Sequence, residues 1–425
     1  MNNKLIITKH ENTIISAFFE GMDMIQVSLS PAGENTILGN IYLGKVKNII
    51  KNINAAFVEI ADGRMCYYSI KDNKKPIMAS KPNPEDGVDN GKDKAKPGKK
   101  YADVRIGDEL IVQVIKEDVK TKAPVVSSNI NLTGKYIALT HGKTSVGVSN
   151  KIEDMNERQR LKSLVKPYVS KDYGLIVRTN AAYVSDELII NEVKTLIDLY
   201  NGIRTYGIHR TRFSLLYRTP PGYICDIRDG YSDHVDEFVT DDEELYNNMK
   251  EYLVQHQPED QNKLRLYNDK SISLSALYGI MEKLKAAVKP MVWLKSGGTL
   301  VIQPTEALTV VDVNTGKAIS GKKKVQETFL KINLEAAREI AKQIRLRNFS
   351  GIIVIDFIDL EQKKDKELLI NTLEEHLKKD PIKTTLVDMT ALGLIEVTRK
   401  KLRKPLHEQV NELLPELLNG YKLCL

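Results

Sequence analysis

The run Glu306-Ala307-Leu308-Thr309-Val310-Val311-Asp312-Val313-Asn314-Thr315-Gly316-Lys317 decides how the last third of the chain folds. Leu308 to Val313 is apolar except at Thr309 and Asp312, with Pro304-Thr305-Glu306 ahead and Gly316 behind, which reads as a buried strand. An unpaired carboxylate inside such a strand is costly to desolvate. Asp312 therefore either has a neutralising partner or stands at the strand's open end and holds a cation. Gly351-Ile352-Ile353-Val354-Ile355-Asp356-Phe357-Ile358-Asp359 repeats the arrangement. Two acids on neighbouring strands of one sheet can converge. With the Asn314 amide beside them and positions left for water, they suit Mg²⁺ better than zinc. A lone Asp near a strand end more commonly caps the next helix or pairs with a cation, and the pattern alone leaves both readings standing.

The flanks extend the layer. Ser296-Gly297-Gly298-Thr299-Leu300-Val301-Ile302 is a turn and strand leading into the Asp312 strand. The spacing predicts a long amphipathic helix over Val325 to Arg347, burying Phe329, Ile332, Ala336, Ala337, Ile340 and Ile344. It closes on Arg345-Leu346-Arg347, two cations near the next strand. A helix over Lys366 to Lys379, a strand at Thr384 to Asp388 and the basic run Thr398-Arg399-Lys400-Lys401-Leu402-Arg403 follow. Strands alternating with helices predict an α/β layer with its chemistry at one strand-end rim.

Nearer the start, Lys4 to Thr8 and Thr13 to Glu20 predict a hairpin. Gly39 to Ile49, Ala55 to Ile60, Cys66 to Ile70 and Ile106 to Glu117 are short strands with glycines at the bends, which suggests a small barrel. Phe57 and Tyr67 fall on adjacent strands with Lys116 nearby; aromatics beside cations suit single-stranded nucleic acid, although barrel aromatics are commonly core. Lys71 to Lys100 is rich in Lys, Asp, Asn, Pro and Gly and is expected to be a disordered loop. Asp172 to Ala181 holds a buried strand ending in Arg178-Thr179, a fork beside a hydroxyl that could cradle a terminal phosphate or simply form a salt bridge. Helical spacing recurs over Asp186 to Asn201, Asp241 to His256 and Ile272 to Val288.

Composition bounds the function. The 425 residues are 42% hydrophobic, enough for more than one domain, and the net charge of +7 is compatible with an anionic partner. Cys66, Cys225 and Cys424 lie far apart, with neither a disulfide framework nor a C-x-x-C zinc pair, so a reducing compartment is expected. No apolar run approaches a membrane span and Met1-Asn2-Asn3-Lys4 does not begin a secretory signal, so the expected location is cytoplasmic.

These motifs together resemble the bacterial ribonuclease E/G family. The resemblance is carried by Thr305 to Asn314, Asn333-Leu334-Glu335-Ala336-Ala337, Arg345-Leu346-Arg347, Gly351 to Asp359 and Thr390 to Arg399, and by Ala55 to Val58 and Gly174 to Thr179, over about residues 1 to 405. It implies a Mg²⁺-dependent endoribonuclease of single-stranded RNA, with Mn²⁺ able to substitute, leaving 5′-phosphate and 3′-hydroxyl ends in rRNA and tRNA processing and mRNA decay. The implied fold is a multidomain mix of α/β and α+β. A ribonuclease H-like region is split into a leading segment (1–37) and a returning segment (224–288). Between them lie an OB-type barrel (38–128) carrying the 71–100 insertion and a 5′-sensor region (129–223). A deoxyribonuclease I-like catalytic region (289–405) and a tail (406–425) follow. By motif, Asp312 and Asp356 hold the metal and Asn314 steadies the carboxylates or the scissile phosphate. Phe57, Tyr67 and Lys116 grip RNA, and Arg178 and Thr179 bind a 5′-monophosphate. Tyr67 stands where the family has Phe, and three further features depart from the family. Only Cys424 stands where a C-P-x-C-type pair usually shares zinc, so zinc is not expected and any homodimer would lack that link. Gln303 replaces a usual Asp, and Asn150 replaces an Arg, with Lys151 adjacent. Within that family the chain looks more like the short ribonuclease G form. The rival from another class is a non-catalytic RNA-binding or ribosome-maturation factor.

Overall fold

β-branched and aromatic residues crowd the first thirty positions, and they form three antiparallel strands, β1 (Asn3–His10), β2 (Thr13–Glu20) and β3 (Asp23–Pro31). The computed structural model describes residues 2–33, 36–73, 75–79, 104–117, 123–229, 235–316 and 325–418. It divides into two units, Met1–Glu34 with Gly222–Leu425, and Asn35–Pro221. The expected hairpin is β1–β2, and β3 adds a strand that the sequence pattern does not announce.

The Asn35–Pro221 unit begins with β4 (Ile41–Ile50), β5 (Ala55–Ala61), β6 (Arg64–Ser69), β7 (Ile77–Met78), β8 (Glu109–Lys116) and β9 (Val125–Ser127). Pairing runs β4-β5-β6-β9-β8, and β8 pairs again with β4, so five strands close a barrel of the OB kind. Closure removes the unpaired edges an open sheet would leave. The short β9, too brief to show periodicity, is what completes the ring. Residues 75–79, inside the stretch expected to be disordered, include β7, which pairs with β8; residues 80–100 of that stretch lie outside the described residues. Next come β10 (Asn131–Thr133), β11 (Ile137–His141), β12 (Val146–Val148), α1 (Met155–Val165), β13 (Tyr173–Val177), α2 (Asp186–Gly207) and β14 (Leu215–Tyr217). The sheet β10-β11-β13-β12 packs on both helices through Leu139, Leu175, Leu161, Val193 and Tyr200.

The other unit resumes with α3 (Gly222–Asp229), β15 (Glu237–Thr240), α4 (Glu243–His256), β16 (Leu264–Leu266), α5 (Leu274–Leu277) and α6 (Ile280–Ala287). β15 joins β1 in parallel, giving the sheet β16-β15-β1-β2-β3. The single helix expected over Ile272 to Val288 is broken at Gly279, whose φ of +59° is left-handed and cannot continue an α-helix.

The last sheet follows: β17 (Met291–Trp293), β18 (Thr299–Pro304), β19 (Leu308–Asn314), α7 (Val325–Leu346), β20 (Gly351–Asp356), α8 (Lys363–Lys378), β21 (Thr384–Met389), β22 (Ile395–Arg399) and α9 (Leu406–Leu413). Its order is β17-β18-β19-β20-β22-β21. Only β19 and β20 pair in parallel, and such a pair needs a crossover, which α7 supplies. One face of the sheet buries Val311, Val313, Ile353, Ile355, Ile395 and Val397 under α7 and α8. The opposite face stays open, with Val310 and Ile352 exposed. The α/β layer thus lies where the sequence predicts it, with the 325–347 helix within one residue of α7. Among the described residues no helix is long and apolar enough to cross a membrane.

Candidate active site

Parallel pairing sets Asp312 of β19 directly against Asp356 of β20. Alternation along each strand turns both side chains to the open face, since Val311, Val313 and Ile355 point into the core. Both acids stand at the C-terminal ends of parallel strands, the rim where open α/β sheets place their ligands. Asn314, two residues on, shares that face and donates its Nδ2–H to Asp312 Oδ2 at 2.6 Å. Burial, then the neighbouring Asp312 and Asp359 charges, push the Asp356 carboxyl above the usual carboxylate range. Among the described residues no Lys or Arg side chain pairs with Asp312 or Asp356. Converging acids without a protein cation are the arrangement a divalent ion stabilises. Among the described residues no cluster of three or more His, Cys, Asp or Glu has ligand geometry. The fold offers a pair, which fits Mg²⁺: that ion keeps several waters and takes one or two carboxylates together with substrate phosphate.

α7 fixes the loops on either side through residues to which the sequence pattern assigns no role. Asn333 is fully buried; it donates to Ile358 O at 2.7 Å and accepts from Ile358 N at 3.1 Å, pinning the chain two residues beyond Asp356. Glu335 accepts from Lys295 N at 2.6 Å and Ser296 N at 3.1 Å, pinning the β17–β18 turn. Burial would raise its carboxyl, but these donors outweigh it and hold it low. Ala336 and Ala337 are fully buried and let the helix approach the sheet. Gly316, at φ +56°, ends the Asp312 segment where a Cβ would sit 2.3 Å from Gly297 O, so only glycine fits. The readable signal for Asn333 is an amide on the same helical stripe as Ile332, Ala336 and Ile340.

The two cations expected near the strand are structural. Arg345 is buried over the Phe18 ring and donates to Gln26 Oε1; Arg347 donates to Gln343 Oε1 and Lys289 O, and burial lowers its pKa to about 10. Arg399 is likewise buried, bonded to Asp380, Asn348 and Phe349.

On the barrel, Phe57 pairs directly with Tyr67, their rings 6.4 Å apart and edge-to-face. Tyr67 and Lys116 both pair with Val125, so Phe57, Tyr67, Val125 and Lys116 form one row across β5, β6, β9 and β8. Both rings are half-buried and Lys116 is exposed. In the same unit, Arg178 follows β13 and donates to Gly134 O, while the Thr179 and Ser149 hydroxyls lie 2.9 Å apart. The 134–137 loop is itself held by Glu192, which accepts from the N–H groups of Lys135, Tyr136 and Ile137 at 2.6 to 2.7 Å. A Cβ at Gly134 would sit 2.4 Å from Glu192 Cδ. Burial raises the Glu192 carboxyl despite those three donors. Arg158, which no sequence motif marks, braces the Ser149 loop through the carbonyls of Ser149 and Ile152.

Comparison with known proteins identifies the family. The model of the Ribonuclease E/G family matches residues 131–402. Ribonuclease G of Salmonella typhimurium and of Escherichia coli K12 are each 31% identical over 97% of this chain and 83% of their own. Ribonuclease E of a Nostoc species is 32% identical over 97% of this chain and 58% of its own. With the family model spanning most of the sequence and the relatives nearly all of it, the chain belongs to the ribonuclease E/G family.

Proposed function

We propose that this protein is a Mg²⁺-dependent endoribonuclease of single-stranded RNA. Family membership supports the general reaction, RNA cleavage. The observation that carries the finer reading is the Asp312–Asp356 register pair at a strand-end rim, with no protein cation between them among the described residues. Asp312 and Asp356 hold the ion, and Mn²⁺ can replace it. When bound, such an ion lowers the pKa of a water and offsets charge on the phosphate. Asn314 keeps Asp312 aimed by donating to one of its oxygens. Asn333 and Glu335 hold the flanking loops still, so that the carboxylates need not reorganise as charge develops.

The remaining sites extend that reading. Phe57 and Tyr67 stack bases while Lys116 meets phosphate, and Arg178 with Thr179 receives a 5′-monophosphate that stimulates cutting. The products are 5′-phosphate and 3′-hydroxyl ends, in cytoplasmic rRNA and tRNA processing and mRNA decay. The division into regions given by the resemblance, with its ribonuclease H-like and deoxyribonuclease I-like regions, belongs to the same proposal.

The test is cleavage of a 5′-monophosphorylated, A/U-rich single-stranded oligonucleotide in Mg²⁺. Asp312→Asn and Asp356→Asn should each slow cutting by at least about a hundredfold, because a metal site contributes several kcal/mol to the transition state, with RNA binding retained. Variants that cut at the wild-type rate refute the two-aspartate site. A wild-type protein that binds but never cuts leaves the RNA-binding reading in its place.

A further inference from the structure

The open face of the last sheet carries one feature that the proposed chemistry does not use. Trp293, the only tryptophan in the sequence, ends β17 with 69% of its surface exposed. Register fixes where it stands. Trp293 pairs with Thr299 of β18, and Thr299 pairs with Asn314 of β19. Directly opposed residues in a sheet share a face, so Trp293 and Asn314 belong to one row on the face that carries Asp312 and Asp356. The next row is Met291, Val301, Asp312 and Asp356. Two strand spacings, about 10 Å, separate the Trp293 and Asn314 backbones, a distance a neighbouring nucleotide spans. The turn that follows Trp293 is tied to α7 by Glu335, and Leu294 beside it is buried, so the indole is borne on a fixed edge.

We infer that Trp293 is a nucleobase-stacking subsite beside the two aspartates, taking a base of the single-stranded RNA close to the scissile phosphate. This rests on the two-aspartate reading above. A wide aromatic face meets any base and tolerates sequence variation, whereas the phosphates go to the metal-holding rim. A strand laid across this face would set its backbone over Asp312 and Asp356 and a base over the indole. The apolar Met291, 49% exposed, widens the platform.

A single tryptophan makes the test direct, because the protein's indole emission reports on Trp293 alone. RNA is titrated into the wild-type protein without divalent cation, with saturation followed by anisotropy of a labelled strand. Emission should change as the strand binds, and a strand abasic around the cleavage position should bind without that change. Trp293→Ala should lower kcat/KM by about five- to a hundredfold, the worth of one stacked base, mostly through KM, and Trp293→Phe should restore most of it. Unchanged emission at saturation, or Trp293→Ala with wild-type kcat/KM, overturns the subsite. So does emission that shifts with protein concentration in the absence of RNA, which would mean a second copy covers the face. If Asp312→Asn cuts normally the two-aspartate site fails; if Asp312→Asn is inert while Trp293 is silent, the subsite alone fails.

Discussion

Asn333 shows how one buried amide can serve chemistry it never touches. Both its polar atoms are spent on Ile358, so the chain just past Asp356 has no unsatisfied backbone there. Asn333→Leu would keep the volume and strand the N–H and C=O of Ile358, each at about 1–3 kcal/mol. The expected outcome is a loss of roughly 2–4 kcal/mol in urea unfolding, together with slower RNA cutting in the assay proposed above as Asp356 loses its brace; a variant as stable as wild type would show that the bond does not hold the loop. At this scale the aspartates were legible, since an acid in a β-branched run violates the pattern twice over. Glu335 was not, because polar residues are ordinary on an amphipathic helix and only the packed sheet reveals which way it faces; for Asn333 the one signal is its place on the stripe of Ile332, Ala336 and Ile340. Arg345 and Arg347 misled for the opposite reason: terminal basic residues usually reach solvent, and here packing buries both.

Among elements, the barrel owes its closure to a strand of three residues, β9, which no periodicity can announce. β5 and β6 were readable because their alternation is regular; their register was not, and a slip of one residue would turn Phe57 and Tyr67 inward. The observed register sets the two rings in one row with Lys116, and that row predicts a graded response. Phe57→Ala and Tyr67→Ala should each weaken single-stranded RNA binding by about 1–3 kcal/mol. Because the rings touch edge-on, the double variant should lose less than the sum. Lys116→Ala should lower the slope of log affinity against log salt by about one ion. Equilibrium binding over a salt series decides all three, and additive losses would mean that the rings bind separate bases.

For the molecule as a whole, local pattern is silent on how distant segments meet: β1 pairs with β15 more than two hundred residues later, and only the burial of both faces explains why. Titration is another property of the whole. Among the described residues His141, His256, His376 and His407 are held below the ordinary imidazole range chiefly by burial. His141 is the best defined, with Nε2–H donating to Lys75 O and Nδ1 facing the Tyr200 hydroxyl, each at 2.7 Å. The unfolded chain binds these protons near pH 6.5 and the native state only at lower pH. Their contribution is therefore complete above about pH 6.5 and is lost as pH falls toward the native values. Glu59, Glu157 and Asp172 are held low chiefly by hydrogen bonds from Lys47, Arg160 and Arg204, and their contribution disappears only below the usual carboxylate range. Stability should thus decline in two stages, the first below neutrality. The urea midpoint should be lower at pH 5.5 than at pH 7.5, and His141→Gln should narrow the gap. A midpoint that is flat between those values would mean that the buried imidazoles protonate in place, and that the acid limit of this fold is set by its carboxylates alone.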